Sequence, residues 1–141
     1  MNLLAKYFHL PKQEKLMLLR AFEISLIAKA LVTFFPIRWY KKFLETNTNQ
    51  SPSLEADEKI RLVTMAVNRC SRFAPWKTKC LVDAITAKLL LRKYRIGATL
   101  FLGVSKQGVT KLQAHAWLKV GEKFITGKRG HQNFTVVSSF T

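Results

Sequence analysis

At 141 residues and 48% hydrophobic content the chain can bury a real core, which excludes a disordered segment and fits a single compact unit. The 24 Lys and Arg against 8 Asp and Glu leave a net charge of +16, a field that calls for an acidic or polyanionic partner. Two cysteines, Cys70 and Cys80, are too few for a secreted disulfide framework and no N-terminal stretch reads as a secretory signal, so a reducing, cytoplasmic setting is expected.

Leu10-Pro11-Lys12 reads as a helix entry, and an apolar pattern then runs as one long helix to Phe35, where Pro36 stops it. Arg20, Glu23 and Lys29 interrupt its apolar stretch, which argues against a membrane span. The basic flanks, Lys12 and Lys15 before it and Arg38, Lys41 and Lys42 after it, leave peripheral contact with anionic lipid open. Ile37 to Leu44 gives a short helix or turn. The polar stretch from Glu45 to Ser53 has almost nothing to bury and reads as a linker.

Helix formation resumes near Leu54, capped by Ser53, with Ile60, Val63, Ala66, Val67 and Cys70 on its apolar face before Pro75. A further helix from about Lys79 to Tyr94 carries Leu81, Ala84, Ile85 and Leu89, which suits a central, buried position. From Ala98 the period changes to that of strands: Thr99–Val104, then Leu112–Val120, a Gly121-Glu122 connection, Lys123–Thr126, and a last strand over Phe134–Phe140. Helices first and sheet second make an α+β fold, in which the Cys80 helix packs on a small antiparallel sheet. Residues 1–50 form an N-terminal helical region with its linker, and residues 51–141 the core.

The chemistry-bearing residues are Cys80 at a helix start and His115 on a following strand, the order found in papain-like and transglutaminase-like thiol enzymes. With Thr78 as N-cap, the helix end and the adjacent Lys77 and Lys79 favour the thiolate of Cys80. Cys70, on an inner helix face, reads as structural. Strand alternation puts His115 and Trp117 on one side, and small Ala114 and Ala116 leave room for a helix start to approach the imidazole, which would serve as general base. His9 and His131 are expected to be exposed.

The third group that would orient His115 is not evident, because no Asp follows it. A two-residue turn at Gly121-Glu122 would pair Thr126 with Trp117 and Gly127 with Ala116, leaving Thr126 or Asn133 as candidates. Asp83 shares the helical face of Cys80 and could contact His115 or a substrate cation. The two cysteines lack a close metal-binding spacing, so no metal and no cofactor are expected. The basic residues are scattered, with no aromatic-basic RNA-binding motif, which disfavours a nucleic-acid function and ranks an acidic peptide or protein partner above it.

In Pro75-Trp76-Lys77-Thr78-Lys79-Cys80-Leu81, the helix ending Leu89 to Ile96, Leu102-Gly103-Val104, Ala114-His115-Ala116-Trp117-Leu118, Thr126-Gly127 and Phe134 to Val137, the chain resembles the leader peptidases of lasso-peptide biosynthesis. These are transglutaminase-like domains related to the microcin-processing protein. The resemblance implies a cysteine peptidase that removes the leader of a ribosomally made precursor peptide and hands the core to an ATP-dependent macrolactam synthetase. It also implies a separate leader-recognition protein, since the chain has no room for that domain. Cys80 matches the family's nucleophile and His115 its base, with Trp76 and Trp117 flanking them as substrate contacts. The family's orienting acid would fall at Thr126-Gly127, where this chain has none, which leaves a backbone carbonyl, Thr126 or a water to orient His115. Two other classes remain: a non-catalytic peptide-binding module of the same complex, and a basic protein that binds polyanions or membrane surfaces.

Overall fold

A computed structural model describes residues 3–45, 54–74, 80–107 and 111–141. Among these residues five helices, α1 (Leu3–Phe8), α2 (Lys12–Phe34), α3 (Ile37–Leu44), α4 (Leu54–Phe73) and α5 (Cys80–Lys93), precede strands β1 (Thr99–Gln107), β2 (Lys111–Val120), β3 (Lys123–Thr126) and β4 (Thr135–Phe140). A single 3-10 turn, His131–Asn133, leads into β4. The α+β order matches the expectation, and α1 is an element the sequence pattern did not reveal.

Pro11 and Pro36 bracket α2. Pro36 forces the preceding Phe35 into extended backbone (φ −124°, ψ 139°), so the helix ends there. The buried side of α2 is Met17, Leu18, Ala21, Ser25 and Ala28, whose spacing makes one narrow stripe against α4 and α5. A Glu14–Arg69 ion pair at 2.9 Å ties α2 to α4. Helix α5 is the central element: Val82, Ala84, Ile85, Ala87, Leu90 and Leu91 are all fully shielded, which an amphipathic surface helix would not allow. Even Lys88 is buried there, its ammonium donating to the Ala98 carbonyl at the entry to β1.

The sheet is antiparallel in the order β3-β2-β1-β4. Its inner face, with Leu100, Ala116, Leu118, Ile125 and Phe140, joins the helices in one buried cluster. Alternation then puts Phe101, His115 and Trp117 on the outer face, with Phe101 paired to Trp117 and Gly103 to His115. The β2–β3 register departs from the expected one. Thr126 pairs with Leu118 and Phe124 with Lys119, so Ile125 is an extra residue and a bulge shifts the strand by one position.

Candidate active site

Cys80 is the first residue of α5 and is half-buried. Its Sγ accepts the backbone N–H of Ala116 at 3.4 Å. The topology explains this contact. The β2–β3 ladder stops at the Leu118–Thr126 pair, and the sulfur takes a strand N–H beyond the point where β3 gives out. The α5 start therefore abuts β2 at the residue next to His115. The expected Thr78 cap, the Lys77 and Lys79 charges and the Trp76 contact lie outside the described residues.

His115 is fixed from the other side. Its Nε2 lies 2.8 Å from the carbonyl oxygen of Gly127. A carbonyl can only accept, so Nε2 carries a proton and donates it, and in the neutral form of the ring the open lone pair is on Nδ1. The imidazole is packed against Phe134 (ring centroids 5.0 Å apart) and Trp117 (5.8 Å). Among the described residues no hydrogen bond joins Cys80 to His115; each is held by a main-chain group instead.

The sequence left a backbone carbonyl, Thr126 or a water to orient His115, and the group in contact with its ring is the main chain of Gly127. Gly127 sits at φ +72°, in the left-handed region, and a Cβ there would lie 2.4 Å from the Ala116 oxygen and 2.9 Å from the Trp117 Cα. Only a residue without a side chain lets this stretch lie flat on β2 and aim its carbonyl at His115. The available signal was the Thr126-Gly127 pair at the end of a short strand. Neither proposed orienting side chain is in contact with His115 among the described residues: Thr126 Oγ1 is buried with no hydrogen-bond partner among them, and Asn133 is exposed. The one-residue bulge is the reason, because it changes which atoms of this stretch come alongside β2.

Trp117, expected as a substrate contact, is placed largely within the packing. Only 4% exposed, it stacks on Phe101 at 5.8 Å and fills the space over Gly103, where a Cβ would come within 2.9 Å of its ring. It supports His115 and presents little surface to a substrate. Asp83 faces α4, accepting a hydrogen bond from Ser71 at 3.0 Å. His131 is half-buried where exposure was expected, its ring against Phe124 and Trp117 and its Nδ1 donating to the Lys128 carbonyl at 2.6 Å. Cys70 is 2% exposed; burial pushes its thiol up, a Ser25 hydrogen bond opposes this, and the charge of Asp83 adds to it. It is a packed, protonated thiol.

Beside His115 a cavity of about 410 Å³ opens between α4 and the end of β3, lined by Thr64, Asn68, Gly127, Lys128 and Arg129 among others. No acidic side chain among the described residues lines it. Among the described residues no group of three or more His, Cys, Asp or Glu could hold a metal ion. The site thus offers a thiol at a helix start, an imidazole of defined tautomer on the neighbouring strand, and a basic cavity alongside.

Residues 27–139, the greater part of the chain, match the family described as the transglutaminase-like superfamily. No curated protein and no solved structure matches the chain.

Proposed function

The chain belongs to the transglutaminase-like superfamily, which includes cysteine peptidases, and from that premise we propose that it removes the leader from a ribosomally synthesised lasso precursor peptide. The observation that carries this reading is the contact of Cys80 Sγ with the Ala116 N–H, the residue next to His115 on β2, together with the Nε2–H of His115 held by the Gly127 carbonyl. In this mechanism Nδ1 of His115 takes the thiol proton as Sγ forms a bond to the scissile carbonyl carbon. The backbone N–H of Cys80 helps to hold the oxyanion. The imidazolium returns its proton to the leaving amine as the C–N bond breaks, and a thioester remains. Water, deprotonated by His115, then attacks the thioester and frees the acid and the thiol. The Cys80–His115 hydrogen bond forms when substrate closes the site, as catalytic hydrogen bonds often tighten only in the complex.

The peptide would arrive on a separate leader-recognition protein and leave for an ATP-dependent macrolactam synthetase, in the cytoplasm, where Cys80 stays reduced. Leader cleavage by wild type, Cys80→Ala and His115→Ala in the presence of the recognition protein tests the proposal. Both substitutions should abolish cleavage, and undiminished cleavage by Cys80→Ala refutes it. One observation favours a second reading: the sulfur is bonded to Ala116 and not to His115. A non-catalytic peptide-binding module of the same complex would keep its peptide affinity in Cys80→Ala and cleave nothing in either form.

A further inference from the structure

We propose that the corner formed by the end of α2 and by α3 is a docking surface for an anionic lipid membrane. From Ile24 to Leu44 the chain has no Asp or Glu, while it carries Lys29, Arg38, Lys41 and Lys42; Glu23 and Glu45 bound the stretch. Within it the apolar side chains that do not reach the core are large and open to solvent: Phe34 is 76% exposed, Trp39 68%, Ile27 56% and Phe43 53%. Single exposed hydrophobes are ordinary, but these form a continuous surface. Phe35 and Trp39 have ring centroids 5.9 Å apart, and Trp39 and Phe43 lie one turn apart on α3. A groove of about 430 Å³ continues the apolar surface through Ile24, Ile27, Leu31, Phe43 and Leu89.

Cations rim the patch. The Arg92 guanidinium lies 4.8 Å from the Phe43 ring and donates to the Phe43 carbonyl at 2.8 Å, and Lys93 borders the same groove. Helix α3 buries Tyr40 and Leu44, which turns Trp39 and Phe43 outward with Arg38, Lys41 and Lys42 around them. Aromatic tips that enter the acyl boundary, surrounded by long basic side chains that reach phosphates, are the combination an amphipathic interfacial helix uses. A peripheral anchor needs two signals, and this corner supplies both apolar insertion and a basic rim. At the turn before Pro36, Phe34 and Phe35 are both exposed, two large adjacent side chains free to enter a yielding lipid surface. No helix among the described residues is long and apolar enough to cross a membrane, so the contact is peripheral. It is independent of the peptidase reading.

The test is co-sedimentation with vesicles of equal parts phosphatidylglycerol and phosphatidylcholine at physiological salt. Wild type should sediment with them and not with phosphatidylcholine alone. The combined Phe34→Ser/Trp39→Ser/Phe43→Ser variant keeps the net charge of +16, so attraction by charge alone would survive it; the proposal expects a loss of roughly tenfold or more. Lys41→Gln/Lys42→Gln should lose roughly 25-fold, about fivefold per charge, and the same charge change at Lys123 and Arg129 should lose much less. Trp39→Ser alone gives a second readout, since it should abolish quenching of tryptophan fluorescence by bromine-labelled lipid. Absence of vesicle binding by wild type, as expected if a protein partner covers this face, overturns the proposal. Equal losses at the Lys41/Lys42 and Lys123/Arg129 pairs, or wild-type affinity in the serine variant, do the same.

Discussion

Replacing Gly127 by alanine tests the feature on which the site depends. Two penalties meet at this residue. At φ +72° an L-residue pays the left-handed backbone cost of about 1 kcal/mol. The added Cβ would also stand 2.4 Å from the Ala116 oxygen and 2.8 Å from the Trp117 Cβ, so backbone must move, and overpacking of that kind costs about 1–3 kcal/mol more. The structure holds its own control in Gly121, at φ +56° with nothing within 4 Å of its would-be Cβ. Gly121→Ala should therefore lose only the backbone term, and Gly127→Ala roughly 2–4 kcal/mol. At about 4 °C per kcal/mol for a domain of this size, thermal melts should fall by roughly 4 °C and roughly 8–16 °C.

Displacing Gly127 also moves the acceptor of His115 Nε2, 2.8 Å away, and releases the imidazole tautomer. Leader cleavage at a temperature where both variants are folded should then drop in Gly127→Ala and hold in Gly121→Ala. Equal melting temperatures for the two variants would refute the packing argument. Full cleavage by a folded Gly127→Ala would refute the orienting role.

The two thiols should separate cleanly: iodoacetamide at neutral pH should label half-buried Cys80 in the native protein and reach Cys70, 2% exposed, only after unfolding, as peptide mass spectrometry can show. Native labelling of Cys70 ahead of Cys80 would contradict the assignment. Burial, with Arg92 adding, pulls the Lys88 ammonium from 10.5 down to about 8. Between those values the unfolded chain holds a proton that the folded chain has lost, so stability rises with pH across this window, by up to about 3 kcal/mol. Urea unfolding should show that rise in wild type relative to Lys88→Met, with a constant difference below pH about 8; parallel curves throughout would refute it. Glu14→Gln, which breaks the partly shielded pair with Arg69, should cost about 0.5–1 kcal/mol, and less in high salt.

Elements with strong local signals were legible. Pro11 and Pro36 bracket α2 to within two residues, and the apolar content of 80–93 marks α5 as the central helix. Gly121-Glu122 places the β2–β3 turn, yet the register beyond it was not legible, because a bulge at Ile125 leaves no mark in the alternation of a four-residue strand. That single slip decided the site: it withdrew Thr126 and left the His115 contact to a main-chain oxygen. Side-chain chemistry could be read from residue types, whereas a carbonyl acceptor is the same in every residue, so a main-chain partner for His115 could be listed as a possibility but only the fold shows that it is Gly127. The burial of Trp117 was not legible for a related reason. Its face of the sheet was clear from alternation, but the space over Gly103 that buries it arises from cross-strand packing.

An acid beside a catalytic histidine does two things: it fixes the tautomer, and it stabilises the imidazolium that forms during the reaction. On the proposed reading the Gly127 carbonyl does the first and, having no net charge, contributes little to the second. A shift of a side-chain acid onto this position is not open to the fold as it stands, since any Cβ at residue 127 meets the Ala116 oxygen and the Trp117 backbone. Gly127→Asp would accordingly disturb the loop by the same backbone and packing terms as alanine and would not complete a triad. The absence of an acid and the presence of glycine are thus one structural fact: with no side chain, the stretch after β3 comes close enough to β2 for its main chain to hold the imidazole directly.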